Sequence, residues 1–187
     1  MTQQNTALSY TTDIAPTPGD ALLQTNINIL RQLTAALATL PDTIYTHQPD
    51  PQTSSIGMHT RHIIEFYQEF LNCANNTIQT LCYDNRQRDM QLETIKDSAL
   101  TAIQTIKATL NKTEPADKDI NLPVTINPNA PMLTIRSTIM RELYHLIDHT
   151  THHMAIIKMI AQTHAITFDK TFGLASATIS SQENKNA

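Results

Sequence analysis

The sequence predicts an all-α fold, a four-helix bundle with a long crossover between its third and fourth helices, and three observations carry that prediction. Apolar residues recur at steps of three and four in four separate stretches, the spacing that gathers them on one face of a helix. Glycine occurs only three times, tryptophan is absent and aromatic residues make up 5%, whereas β folds draw on glycine turns and aromatic-rich strands. At 187 residues with 40% hydrophobic content, the chain is about one domain long and can fill one core without disulfides.

The expected organisation is an N-terminal arm over residues 1–19, the bundle over 20–179 and a flexible tail over 180–187. Thr17-Pro-Gly-Asp20 offers turn and N-cap chemistry, after which Leu23, Ile27, Leu30, Leu33, Leu37 and Leu40 define the first helix, ending at Pro41. A loop from Pro41 to Pro51 leads to the caps Ser54 and Ser55. Ile56, His59, Ile63, Phe66, Tyr67, Phe70, Leu71, Ala74 and Ile78 then predict a second helix running to about Thr80.

Tyr83 to Asp89 is a charged connection, and Thr94-Ile-Lys-Asp97 has the spacing of a capping box ahead of a third helix carrying Ala99, Ala102, Ile103, Ile106 and Leu110. The crossover, Asn111 to Pro131, holds four prolines, and the alternation of Ile120, Leu122, Val124 and Ile126 predicts a short extended piece within it. Ile139, Leu143, Leu146, Ile147, Thr150, Met154, Ile157 and Ala161 predict one long fourth helix from about Leu133 to Thr163. Phe168 to Ile179 is expected to fold back on the bundle.

Charge and targeting signals narrow the function classes. A net charge of −4, with 13 Lys and Arg spread along the chain, leaves no basic stripe for a nucleic acid backbone. The first twenty residues lack the charged and apolar regions of a signal peptide, and no apolar run is long enough for a membrane helix. Cys73 and Cys82 fall nine apart in one predicted helical stretch, about 13 Å along its axis and beyond disulfide reach. The expected setting is therefore a reducing cytoplasm, without nucleic acid or membrane as partner.

Histidine carries the chemistry. Six of the eight histidines fall in Met58-His-Thr-Arg-His62 and His145-Leu-Ile-Asp-His-Thr-Thr-His-His153. Residues four apart stack one turn above another, so His149 and His153 can aim at one point and form half of a metal site. At 100° per residue they lie about 100° and about 60° from the centre of the apolar face, while His145 and His152 lie nearer solvent. On the second helix periodicity favours His59 over His62 as the inward ring. Neutral imidazole is the commonest protein ligand for zinc, nickel and iron, so a divalent metal is the expected cofactor, with solvated histidine pairs as the alternative.

Ser55-Ile-Gly-Met-His-Thr-Arg-His62 resembles the opening of the second helix in the DinB-like (DinB/YfiT) family of metal-dependent enzymes, where Ser-Ile-Gly precedes a ligand histidine seven residues after the serine. His149-Thr-Thr-His-His153 resembles that family's His-x-x-His-His segment, whose first and last histidines bind metal. Tyr83 to Asp89 and Phe172 to Ile179 resemble segments of one uncharacterised branch, although Ser176 stands where that branch more often has proline. The resemblance implies a four-helix bundle with His62, His149 and His153 as metal ligands.

It also implies chemistry. Three imidazoles leave an open position on the ion, where a thiol or water would be acidified. The resemblance points to transfer of a low-molecular-weight thiol to a small electrophile; a metal-dependent hydrolase and a non-catalytic, stress-related metal-binding bundle stay open. Glu65, one turn after His62, and Glu142, two turns before His149, are the candidate catalytic carboxylates, as general base or orienting group. A homodimer is the expected assembly.

Overall fold

A computed structural model describes residues 15–76, 79–114 and 116–185. It is mostly helical with one small antiparallel sheet. The elements run α1 (Pro18–Ala38), α2 (Asp42–Tyr45), α3 (Ile56–Ala74), α4 (Met90–Thr94), α5 (Lys96–Leu110), β1 (Asp119–Val124), β2 (Leu133–Thr138), α6 (Ile139–Thr163) and α7 (Ser176–Lys185). Of the expected arm over 1–19, residues 1–14 lie outside the described residues, and α1 already begins at Pro18. The expected flexible tail is helical through 185, with 186 and 187 outside the described residues.

Side-chain caps start three of the four long helices. Thr17 Oγ1 accepts from the Asp20 amide and the Asp20 carboxylate accepts from the Thr17 amide, both at 3.1 Å, which closes a capping box with Pro18 in the first turn. Ser55 caps α3 by accepting from the Met58 amide, and Thr138 caps α6 by accepting from the Arg141 amide. α1 packs against α5 and α6, and α3 packs against the same two helices, so the four long helices form a closed ring. Leu30, Leu33, Ile63, Tyr67, Phe70, Ile103, Leu143, Leu146 and Met154 fill its interior.

One polar cluster crosses that interior. Asn26 donates to the Leu143 carbonyl at 3.0 Å and accepts from the Tyr67 hydroxyl at 2.7 Å, tying α1, α3 and α6 together. Buried polar groups must be paired, so this arrangement fixes how the three helices are staggered.

Three sequence expectations need correction. The second long helix ends at Ala74, capped at Asn75, rather than near Thr80. From Gln79 the chain runs in extended form, with Leu81 donating to Asn121 and Asn121 to Gln79, so Cys82 shares no helix with Cys73; the two form no disulfide. Thr94 does not cap the third long helix, because its hydroxyl donates to Met90 inside α4 and α5 starts after Ile95 without a side-chain cap. The fourth long helix starts at Ile139 rather than Leu133, because 133–138 is drawn into β2. That strand pairs Leu122 with Ile135 and Ile120 with Ser137, completing the extended piece expected in the crossover. Among the described residues no helix is long and apolar enough to cross a membrane.

Gly57 matters to the site because it lets α4 lie on α3. A Cβ there would stand 2.0 Å from the Glu93 carbonyl oxygen and 3.0 Å from the Tyr45 ring. The contact is with backbone and cannot be relieved by a rotamer change. Gly57→Ala is expected to lower stability by about 1–3 kcal/mol in chemical denaturation, the range for overpacking a filled site; an unchanged midpoint would show that α4 is free to lift.

Candidate metal centre

α3 contributes His62 and α6 contributes His149 and His153 to one cluster. One ligand nitrogen from each of the three rings lies within 4.8 Å of the others. Ring centroids stand 4.9 Å apart for His62 and His149, 4.6 Å for His62 and His153, and 4.5 Å for His149 and His153. His59, the ring that periodicity favours, faces the same cluster from one turn earlier, but its Nδ1 meets His153 Nδ1 at 3.0 Å. One of those two nitrogens donates and the other accepts. His145 is half-buried one turn before His149, and His152 is exposed.

An aromatic stack backs the cluster. Phe66 lies face to face with His149 at 4.1 Å and with Tyr83 at 4.4 Å, so it is held between them. Burial lowers all three cluster histidines: His62 to about 4, with Arg86 adding to the effect, and His149 and His153 to about 3, with neighbouring rings adding. The rings are therefore neutral near pH 7, the form in which imidazole binds metal.

The donor set fits a divalent ion. His149 Nε2 is buried with no hydrogen-bond partner among the described residues. Leaving such a nitrogen unpaired is unfavourable, and a metal ion is a partner that would satisfy it. Nitrogens on a tetrahedral ion with bonds of about 2.0–2.1 Å lie about 3.4 Å apart, so loading must draw the rings inward.

The two candidate carboxylates are buried and fully engaged. Glu65, 1% exposed, accepts from Arg86 Nε at 2.9 Å and the Asp89 amide at 3.0 Å, and pairs with Arg61 at 3.4 Å. Arg61 in turn pairs with Glu93 of α4 at 2.6 Å. Glu142, 0% exposed, accepts from Tyr83 at 3.1 Å, from Ser137 at 2.5 Å and from Arg141 at 2.8 Å. Each touches the cluster through an intermediary: Glu65 through Arg86, Glu142 through Tyr83 and Phe66.

The Tyr83 to Asp89 segment, a charged connection in the sequence, lies beside the cluster. A straight helix to Thr80 would carry it about 30 Å from His62, but the return after Ala74 brings Arg86 Nη2 to 2.9 Å from His62 Nδ1. Asp84 accepts from the Thr125 amide and Asp89 caps α4, so the segment is pinned at both ends. Phe66, Tyr83 and Arg86 are the site residues that sequence reasoning missed. For Tyr83 and Arg86 the signal was Asn75-Asn76, a helix-ending pair, followed by a segment already resembling the family.

A cavity of about 640 Å³ adjoins the stack, walled by Phe66, Tyr83, Leu122, Val124, Ile135 and His145, with Arg141 at its lining. Another, of about 500 Å³, lies between α1 and the 167–172 segment and shares no residue with the cluster.

The model of the DinB superfamily matches residues 28–157, a span that holds all three clustered histidines. The chain belongs to the DinB superfamily. Comparison with curated proteins finds no match, and comparison with solved structures finds none. The match ends inside α6, so the 168–173 segment of this DinB-superfamily chain lies beyond it. There Gly173, at φ 72°, lets the backbone approach Ala155 of α6, and Lys158 donates to the Phe172 carbonyl.

The lowered histidines set a pH dependence for metal-free protein. Unfolded rings titrate near about 6.5, so as pH falls below that value the unfolded chain takes up protons that the folded cluster refuses. Stability should be full above pH 7 and fall as pH drops from about 6.5 toward the folded values near 3 and 4. Thermal melts of chelator-treated protein between pH 7.5 and 5.5 should show this loss, and His149→Gln should reduce it; a melt unaffected by pH in that window would contradict the neutral cluster.

Proposed function

We propose that this DinB-superfamily protein is a four-helix-bundle metalloenzyme that holds zinc, nickel or iron through His62, His149 and His153 and transfers a low-molecular-weight thiol to a small electrophile. The observation that carries the reading is the buried, unpartnered Nε2 of His149, set among neutral rings from two helices. The closed ring of α1, α6, α3 and α5 supports the bundle assignment. When bound there, a divalent ion supplies Lewis acidity that favours the anionic form of a thiol or water at its open position.

The surrounding residues support catalysis over a closed structural site. His59 bonds to His153 instead of joining the three rings, so it acts as a positioning residue that orients the His153 ring. Glu142 holds Tyr83, Tyr83 stacks on Phe66, and Phe66 stacks on His149, a chain that fixes the ring plane of His149. Glu65 does the corresponding work for Arg86.

Every oxygen of Glu65 and Glu142 already accepts a hydrogen bond, so neither carboxylate is placed as a general base and the nucleophile would depend on the metal for its acidity. The apolar wall formed by Phe66, Leu122, Val124 and Ile135 suits the body of a small electrophile. A cytoplasmic setting would keep the thiol reduced. We further propose a homodimer, consistent with the exposed apolar side chains Ile126, Leu133 and Ile135 along the hairpin.

The test is metal content by mass spectrometry on untagged protein offered zinc, nickel and iron, with thiol consumption followed against a chlorobimane electrophile. Wild type should hold near-stoichiometric metal and consume thiol only when loaded. His62→Ala and His153→Ala should lose the metal, while His59→Ala keeps it with weakened affinity. Wild type that holds no metal would overturn the metalloenzyme reading; loaded protein that cleaves esters without consuming thiol would replace transfer with hydrolysis.

A further inference from the structure

Arg86 makes three hydrogen bonds, and one of them is incompatible with metal loading. Its Nε donates to Glu65 Oε2, its Nη1 to the Tyr83 carbonyl and its Nη2 to His62 Nδ1, each at 2.9 Å. A guanidinium only donates, so His62 Nδ1 accepts and the neutral ring carries its proton on Nε2. In that state neither ring nitrogen has a lone pair to offer an ion. Ligation through Nδ1 would use the lone pair that Arg86 occupies. Ligation through Nε2 would move the ring proton to Nδ1, where it would face the Arg86 N–H donor to donor. By either nitrogen, neutral His62 binds an ion only after Arg86 Nη2 lets go.

The guanidinium does not thereby leave the site. Glu65 and the Tyr83 carbonyl still hold Nε and Nη1, and the Arg86 side chain is only 13% exposed. Its Cζ stands 5.3 Å from the centre of the Phe66 ring, and Phe66 also lines the cavity of about 640 Å³. A charged donor released in so dry a place needs a new acceptor, and an anion is the strongest one.

We propose that Arg86 is the anion-recognising residue of the site: it caps His62 in the metal-free protein and, once loading draws the His62 ring away, presents the freed Nη2 to a carboxylate of the substrate. The inference rests on the metal reading above and narrows its substrate class to carboxylate-bearing small molecules. It also makes Arg86 a competitor of the metal for His62. Removing Arg86 should therefore tighten metal binding and weaken anion binding together, a pair of opposite effects that a merely structural arginine would not produce.

The experiment compares full-length wild type, Arg86→Gln and Arg86→Lys. Cobalt(II) affinity is measured by competition with a chelating dye, and acetate affinity by titration of the visible spectrum of the cobalt-loaded protein. In Arg86→Gln, cobalt should bind about threefold or more tightly and acetate about tenfold or more weakly, the latter the scale of one charge-assisted hydrogen bond. Arg86→Lys keeps a cation for Glu65 but lacks the fork that reaches a second acceptor, so it should shift both constants the same way; if Arg86→Gln does not fold, it is read alone. Either constant staying within about twofold of wild type in the folded variants would overturn the proposal, as would cobalt-loaded wild type that ignores acetate. Wild type that binds no cobalt would instead sink the metal reading itself.

Discussion

A carboxylate buried on α3 dictates much of what surrounds the histidine cluster. Glu65 is 1% exposed, and a charge taken that far from water must be paired and hydrogen-bonded. Its partners come from three directions: Arg61 on its own helix, Arg86 from the returning segment and the amide of Asp89 at the start of α4. Removing one partner of such a pair costs about 3–5 kcal/mol in comparable buried sites, so the return of the chain after Ala74 is as firmly specified as the core. Gly57 belongs to the same constraint, since α4 can carry Glu93 to Arg61 only by lying directly on the α3 backbone.

That arrangement serves the cluster. Three imidazoles crowded at 4.5 to 4.9 Å between ring centroids are held neutral by burial, and their planes are set by contacts from outside the trio. His153 is bonded by His59, His149 is stacked by Phe66, and His62 is capped by Arg86. The same burial that favours metal ligation destabilises the metal-free protein in acid, so folding and loading draw on one property of the site.

Much of the fold was legible because helical periodicity is a local signal. Leu23 through Leu37 and Leu143 through Ile157 point inward as their spacing requires. The strand 133–138 was not legible, because Leu133, Ile135 and the threonines around them prefer a strand only once 119–124 lies beside them. The capping box at Thr94 misled because α4 uses that hydroxyl first. The histidine pair on α6 could be read from its spacing of four, whereas His62 over His59 came from a resemblance: both rings face the cluster, and which one is free of His153 depends on tertiary geometry. Arg86 was hidden by a single misplaced helix end. Extending a helix from Ala74 to Thr80 turns a residue beside the cluster into one at the far end of the molecule.

X-ray absorption at the zinc edge of the loaded, full-length protein tests the central claim most directly. Multiple scattering from three imidazoles plus one further ligand atom from solvent or buffer would match an open site formed by His62, His149 and His153. Four imidazoles would mean that His59 completes a closed structural centre, and scattering from a protein carboxylate or sulfur in place of an imidazole would contradict the three-histidine assignment.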